Sequence, residues 1–361
     1  MTQNLPSFEN ASHPEGNSST ESYQLLVCVS APLAIFGFVF YAVIFCLGVF
    51  GNVFVICTVF RETKLHTPFN YLVINLAVSD LCVFFVSIPI VVFSECFSWP
   101  LGELACRFSR PLFLVFTGVS VCTMITLSYE RYRAVVRPLA PKLTRKIAVQ
   151  IIGLIWILSY PIFGLPRFFM FGLTTEKGIL QCDPVGKNFV HHMAANTWRI
   201  ICVLIVPSVV VSWAYVRVMR QLKQDLAVIG DTFASQDMTR SRAQRNVKTM
   251  RLLITIILVF VACFLPFNMV TSLNALSSYE QWQYNETVES MSRMSQVAHS
   301  CFNPIILCLL SADFRKAWKK LCAFGVKGVK GRSKVYVLPE IQQTDSSIPL
   351  VLLIQVCKIS V

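Results

Sequence analysis

The sequence predicts an all-α membrane protein, built as a bundle of seven transmembrane helices with a short amphipathic helix after the seventh span. Only 14% of the 361 residues are charged and 55% are hydrophobic, whereas a soluble domain carries about 25% charged residues. Apolar stretches long enough to cross a bilayer recur along the chain. Most basic residues fall between these stretches or after the last one, on one side of the inferred membrane, which is the positive-inside pattern.

The predicted spans share a length of about 20 residues or more, which is enough for a helix to cross the hydrocarbon core. They are residues 33–60, 67–93, 105–136, 147–169, 197–222, 247–276 and 288–310. Backbone groups in lipid need partners within their own segment, so helices are expected throughout.

The positions of the bases set the orientation in the plasma membrane, with the N-terminus outside. Residues 1–30 are then an extracellular tail, 31–311 the seven-span domain, 312–322 the amphipathic helix and 323–361 a cytoplasmic tail. The net charge of +13 is explained by this pattern, and no nucleic-acid partner is expected. Glycosylation acceptor triplets begin at three predicted extracellular positions: Asn10, Asn17 and Asn285.

The helix predicted after the seventh span has apolar residues at helical spacing, namely Phe314, Trp318 and Leu321, with bases between them. This pattern is typical of a helix that lies on the membrane surface and contacts lipids. Cys322 follows it and is either a palmitoylation site or an ordinary cysteine.

Short motifs occur in every predicted span. They are Gly51-Asn52, the sequence LAVSD ending at Asp80, Glu130-Arg131-Tyr132, Trp156, Pro207 with Tyr215, Cys263-Phe264-Leu265-Pro266 and Asn303-Pro304. With these motifs the chain resembles the rhodopsin-like (class A) G-protein-coupled receptors over nearly its whole length. The resemblance implies a receptor that binds an extracellular ligand and activates a heterotrimeric G protein, with arrestin as a further partner. It implies neither an enzyme nor a resident cofactor.

An acidic residue inside a membrane span is a functional candidate by default, because an unpaired charge there is costly. The resemblance implies that Asp80, Ser120 and Asn303 hold an allosteric sodium ion, and oxygen ligands suit such a hard cation. The alternative is a structural carboxylate that is hydrogen-bonded to Asn52 and Asn303.

The resemblance also implies a G-protein switch formed by Glu130, Arg131, Tyr132 and Tyr215. In it the acidic neighbour holds the arginine at rest, and the arginine reaches toward the tyrosine on activation. The alternative is that Arg131 merely extends its charge to the headgroups.

Two departures from the family pattern concern this switch. Asn246 stands where many relatives have an acidic partner for Arg131, so we expect the resting state to be held less firmly. Leu307 stands where the family has a tyrosine, so we expect basal signalling to differ from that of a typical relative.

Two prolines inside predicted spans mark an activation hinge, because proline removes a helical hydrogen bond and bends the helix. These are Pro266 and Pro304. The resemblance assigns a rotamer switch to Phe260 and Phe264, the latter in place of the usual tryptophan. Aromatic residues at this spacing also fit a plain core.

On the outer side, the resemblance implies a disulfide between Cys106 and Cys182, and a second bridge between Cys28 and Cys96 stays open. Phe113 and Val297 replace the aspartate of amine receptors and the retinal-binding lysine of opsins, which disfavours both classes. The inferred ligand cavity is mostly apolar, as such cavities usually are, and its residues are Phe113, Phe116, Thr117, Phe267, Asn268, Thr271 and Arg293. We expect a peptide ligand, in particular a neuropeptide; Arg293 would pair either with its carboxylate or with Glu289.

Two other functions fit the sequence less well. An ion channel or transporter would use Asp80, but transporters typically have internal repeats and broken helices, which this sequence lacks. A receptor-like protein that couples weakly would explain Leu307 and Phe264.

Overall fold

The computed structural model describes residues 32–176, 179–185, 189–228, 233–276, 286–311 and 314–320. Within these ranges the chain forms eight helices and a two-stranded antiparallel sheet. The helices are α1 (Pro32–Arg61), α2 (Pro68–Cys82, Val83–Ser87 and Ile88–Cys96), α3 (Gly102–Ser109 and Leu112–Val136), α4 (Arg145–Ser159, Tyr160–Gly164 and Leu165–Phe168), α5 (Phe189–Arg199, Ile200–Ile205 and Val206–Val228), α6 (Phe233–Leu276), α7 (Glu286–Leu310) and α8 (Phe314–Lys320). The strands are β1 (Phe171–Glu176) and β2 (Ile179–Pro184).

Helices α1 to α6 are each long and apolar enough to cross a membrane, and α7 qualifies together with α8, from which it is bent by 90°. The described part of the chain therefore has six spanning helices, or seven with the bent pair, and the predicted bundle is confirmed. The largest differences from the predicted spans are that α5 begins at Phe189 and α6 at Phe233. These extra turns are too polar for the bilayer, so the apolar run alone could not reveal them.

The outer halves of α2, α4 and α5 each contain a π-helical turn, at Val83–Ser87, Tyr160–Gly164 and Ile200–Ile205. At the end of the first, the Ile88 N–H donates to the Val83 carbonyl, five residues back. A proline lies within or just after each turn, namely Pro89, Pro161 and Pro207. Proline lacks an N–H and its ring crowds the preceding turn, which favours a locally widened helix.

The cytoplasmic starts of α2 and α4 are set by threonine caps. Thr67 Oγ1 accepts a hydrogen bond from the Asn70 N–H at 3.3 Å, and Thr144 Oγ1 accepts one from Ile147 at 3.3 Å. Both side chains satisfy a donor that the first helical turn leaves without a partner.

A chain of polar contacts joins α2, α3 and α4 inside the bundle. Trp156 Nε1 donates to Asn75 Oδ1 at 2.8 Å, and Asn75 Nδ2 donates to Thr123 Oγ1 at 2.8 Å. Because buried amides need partners, these bonds fix how the three helices are rotated against one another.

The β1–β2 hairpin covers the outer end of α3, and the sequence did not predict it. The predicted disulfide between Cys106 and Cys182 is confirmed, with the two Cα atoms 5.6 Å apart. Trp99 is buried beside it; its N–H donates to the Leu180 carbonyl at 2.7 Å and its Nε1 donates to the Gly102 carbonyl at 2.9 Å. Gly102 has φ of +76°, a conformation that favours glycine.

Helix α8 packs on the cytoplasmic end of α1, a contact that the sequence did not predict. The Trp318 ring lies 4.8 Å from that of Phe54, and Lys320 Nζ lies 2.6 Å from Glu62 Oε1. The predictions for residues 1–30 and 323–361, the glycosylation acceptors Asn10, Asn17 and Asn285, the side chains of the possible second bridge between Cys28 and Cys96, and the lipidation candidate Cys322 lie outside the described part of the chain.

Candidate functional site

The cytoplasmic end of α3 carries the Glu130–Arg131 ion pair. Arg131 Nε lies 2.5 Å from Glu130 Oε2, and Arg131 Nη2 lies 2.8 Å from Oε1, so both carboxylate oxygens are engaged. The guanidinium carbon also lies 4.4 Å from the ring centroid of Phe69 on α2, in a cation–π contact. Within the described residues no hydrogen bond or ion pair links Arg131 to α6, which agrees with Asn246 at the expected partner position.

The two tyrosines of the expected switch lie apart from this ion pair. The Tyr132 ring packs at 4.8 Å against Trp213 on α5. Tyr215 is half-buried against the main apolar core, to which the buried Leu307 also belongs. Tyr215 forms no hydrogen bond with any residue that the structure describes, and Leu307 has no hydroxyl to offer it.

The Asp80 carboxylate is fully buried between α2 and α7. Its Oδ2 accepts a hydrogen bond from Asn303 Nδ2 at 2.7 Å, while Oδ1 is buried without a partner in the described ranges. The Ser120 hydroxyl lies 2.8 Å from that of Ser79 on α2. Asn52 donates to the carbonyls of Gly48 and Ser300, not to Asp80. A buried carboxyl oxygen without a described hydrogen-bond partner is the type of ligand that a hard cation such as sodium takes.

At the candidate hinge in α6, an aromatic stack lies just before Pro266. The Phe260 and Phe264 rings are stacked at 4.3 Å, and both meet the edge of the buried His299 on α7, at 5.4 and 4.9 Å. Pro266 and Pro304 lie inside α6 and α7. His299 was not singled out in the sequence, because a lone histidine in an apolar span has no motif around it.

The α7 and α6 helices are also joined next to Pro266. Ser295 Oγ on α7 donates to the Cys263 carbonyl at 3.2 Å, three residues before Pro266. This hydrogen bond links α7 to α6 just before the candidate hinge proline.

The residues expected to line the ligand cavity lie in the outer half of the bundle but do not all meet. Phe116 packs toward Trp156 on α4, with ring centroids 6.2 Å apart. Thr117 donates to the Phe113 carbonyl at 2.8 Å. Asn268 Nδ2 donates to the Phe264 carbonyl at 2.8 Å, and Arg293 Nη1 lies 3.8 Å from Glu289 Oε1.

Two further arginines border this region, and the sequence analysis missed them. Arg199 on α5 is 3% exposed; its Nη2 donates to Thr271 Oγ1 at 2.7 Å and its guanidinium carbon lies 4.9 Å from the Phe267 centroid. Arg167 on α4 donates from Nη2 to Asn196 Oδ1 at 3.3 Å. A charge inside an apolar span is a signal for function, but both residues lie near the ends of their predicted spans, where arginine is ordinary.

Comparison with known proteins places this arrangement in a family. Residues 51–307 match the family model of the 7 transmembrane receptor (rhodopsin family). Neuromedin-U receptor 2 of Rattus norvegicus is 29% identical over 332 residues, covering 84% of this chain and 80% of that protein. The QRFP-like peptide receptor of Branchiostoma floridae is 24% identical over 318 residues, with 85% and 81% covered. The RYamide receptor of Drosophila melanogaster is 27% identical over 319 residues, with 84% and 68% covered.

The family match spans most of the described bundle, from the end of α1 to the end of α7. It accounts for the multi-pass topology and for residence in the plasma membrane. The chain therefore belongs to the rhodopsin family of seven-transmembrane receptors.

Proposed function

We propose that this chain is a receptor that binds an extracellular peptide and activates a heterotrimeric G protein. It would work without covalent catalysis, by a shift between a resting and an active helix arrangement that the ligand biases through its differential affinity. Two of the relatives, a QRFP-like peptide receptor and an RYamide receptor, support a peptide ligand. Arrestin would be a second cytoplasmic partner.

One observation carries the proposal: a single helix, α3, holds the Cys106–Cys182 bridge at one end and the Glu130–Arg131 ion pair at the other. At about 1.5 Å per residue these ends are roughly 37 Å apart, enough to span a bilayer. Disulfides persist in oxidising compartments, which supports an extracellular outer end and N-terminus. The ion pair would then face the cytoplasm, where a G protein can reach it.

The resting arrangement would be favoured by sodium at Asp80, with Ser120 and Asn303 as neutral oxygen ligands. The unpartnered Oδ1 of Asp80 supports this. The bound ion would supply a positive charge that stabilises the ionised carboxylate between α2 and α7.

At the cytoplasmic surface, α8 would rest on membrane lipids. Its exposed bases, Arg315, Lys316, Lys319 and Lys320, support contact with headgroups. The ion pair between Lys320 and Glu62 would keep the helix against α1.

The test expresses the full chain in cells with sensors for several G-protein classes and screens a collection of synthetic neuropeptides. A peptide that activates the protein then serves as the agonist with which the variants are compared. Arg131→Gln should then abolish activation while binding of the labelled peptide survives. Arg133→Gln is the matched control, since it removes the same charge two residues away on α3, and it should keep most of the activation. Retained activation in Arg131→Gln would refute the proposal.

A second candidate is a receptor-like protein that couples weakly. The apolar Leu307 and the absence of a described hydrogen-bond partner for Tyr215 favour it. A peptide that binds but drives none of the sensors, together with a signal gained in Leu307→Tyr, would support this candidate. Family membership favours both receptor functions over an ion channel or transporter.

A further inference from the structure

Arg199 and Arg167 form a pair of cations that the proposed switch does not use. Arg167 is hydrogen-bonded to Asn196, which precedes Arg199 by three residues on α5. Residues three apart share a helix face and differ by about 4.5 Å along the axis. The two guanidinium groups therefore occupy neighbouring levels, between α4, α5 and α6.

Both cations have only neutral partners in the part of the chain that the structure describes. Arg199 is bonded to the Thr271 hydroxyl and covers the Phe267 ring, and Arg167 is bonded to an amide. The Nε atoms of both are buried without a hydrogen-bond partner. The positive charges of Arg167 and Arg199 also repel one another. A buried charge normally has an opposite charge beside it, so the pair lacks an anion.

The nearby acidic residues do not supply this anion, because each one with a described side chain forms an ion pair with another arginine. Glu103 lies 2.6 Å from Arg107, Asp183 lies 4.0 Å from Arg110, and Glu289 lies 3.8 Å from Arg293. The excess positive charge at Arg167 and Arg199 is thus not balanced within the described bundle.

We propose that Arg199 and Arg167 form an anion subsite of the ligand pocket, and that the ligand places a carboxylate between them. This inference rests on the proposed function as a receptor and adds the chemical class that its pocket selects. Guanidinium groups bind carboxylates through paired hydrogen bonds, and each of these two has a buried Nε–H that lacks a partner in the described residues. The Phe267 ring beside Arg199 adds an apolar surface for the group that carries the carboxylate.

The carboxylate can come from a peptide C-terminus or from an acidic side chain, and small probes separate these sources. N-acetyl-L-phenylalanine represents a C-terminal carboxylate, with its amide as the neutral control. The α-amide of N-acetyl-L-glutamic acid represents a side chain, with the corresponding glutamine derivative as its control. Each is added at 10 mM and constant ionic strength to the purified full chain in lipid nanodiscs, and Tm is measured.

We expect at least one acid to raise Tm by about 3 °C when it is near ten times its Kd, and its amide to leave Tm unchanged. Arg199→Gln and Arg167→Gln should each lower the affinity for the acidic probe by about tenfold or more. Arg199→Lys should keep part of the Tm response. Arg107→Gln, which removes an exposed charge paired within α3, should respond as the native chain does. Equal shifts with acids and amides would overturn the subsite.

The Tm of the variants without any probe supplies a second criterion. Removing a buried cation that lacks an anion should leave Tm unchanged or raise it. A fall of several degrees in both Arg199→Gln and Arg167→Gln would show that the pair is structural, and would overturn the proposal.

This experiment needs no G protein, so the two proposals fail separately. If acidic probes alone raise the Tm but no peptide activates a G-protein sensor, the anion subsite stands and the proposed G-protein activation is refuted. Activation by peptides regardless of their acidic groups, with no acid response, would retain the receptor function and refute the subsite.

Discussion

Replacing Phe69 by leucine should raise agonist-free signalling, because it removes the ring that faces Arg131. The guanidinium carbon lies 4.4 Å from the ring centroid, and a cation–π contact contributes about 0.5–1 kcal/mol when exposed and about 2 kcal/mol when desolvated. The Arg131 side chain is 21% exposed, so we take about 1 kcal/mol. If Arg131 leaves this position on activation, the active-to-resting ratio rises about fivefold.

The assay measures agonist-free G-protein activation in cells, normalised to the amount of receptor at the surface. Phe69→Tyr keeps the ring and should match the native chain. Phe85→Leu removes an exposed ring from the same helix and controls for the loss of apolar volume. Basal signalling in Phe69→Leu that equals that of both controls would refute the idea that α2 replaces the missing α6 partner.

Three other substitutions test separate parts of the structure. Asp80→Asn should abolish the effect of replacing sodium by choline on agonist affinity; a persisting sodium effect would exclude this site. Gly118→Ala would bring a Cβ within 2.2 Å of the Phe163 ring, so we expect the free energy of unfolding to fall by about 1–3 kcal/mol, seen as a lower Tm. The control is Gly153→Ala, whose Cβ would meet nothing within 4 Å and which should leave Tm unchanged. Leu307→Tyr enlarges a residue that is 3% exposed in the resting core and adds a hydroxyl for the active state, so basal signalling should rise several-fold; equal signalling would contradict this role for Leu307.

The sequence predicts the spans well because the bilayer fixes their length and removes alternatives to helix. It fails at the ends of α5 and α6, where additional turns extend into water and hydropathy carries no signal. The β1–β2 hairpin depends on contacts from distant residues, the Cys106 bridge and the Trp99 N–H, that no local pattern contains.

The candidate site divides in the same way. Asp80, Asn303 and the Glu130–Arg131 pair stand in recognisable motifs. Phe69 contacts Arg131 across 62 positions of the chain, so no local pattern points to it. Arg199 is conspicuous only once α5 is known to begin at Phe189, eight residues before its predicted start, which puts this charge inside the bundle instead of at the edge of a span.

The wide turns at Val83–Ser87, Tyr160–Gly164 and Ile200–Ile205 each divide a helix into an outer and an inner part. One residue corresponds to about 100° of rotation, so deleting a single residue there would turn the extracellular part of the helix to new neighbours. The part that faces the cytoplasm would keep its contacts. Loss of one codon could in this way give the protein a different messenger while its intracellular partner stayed the same.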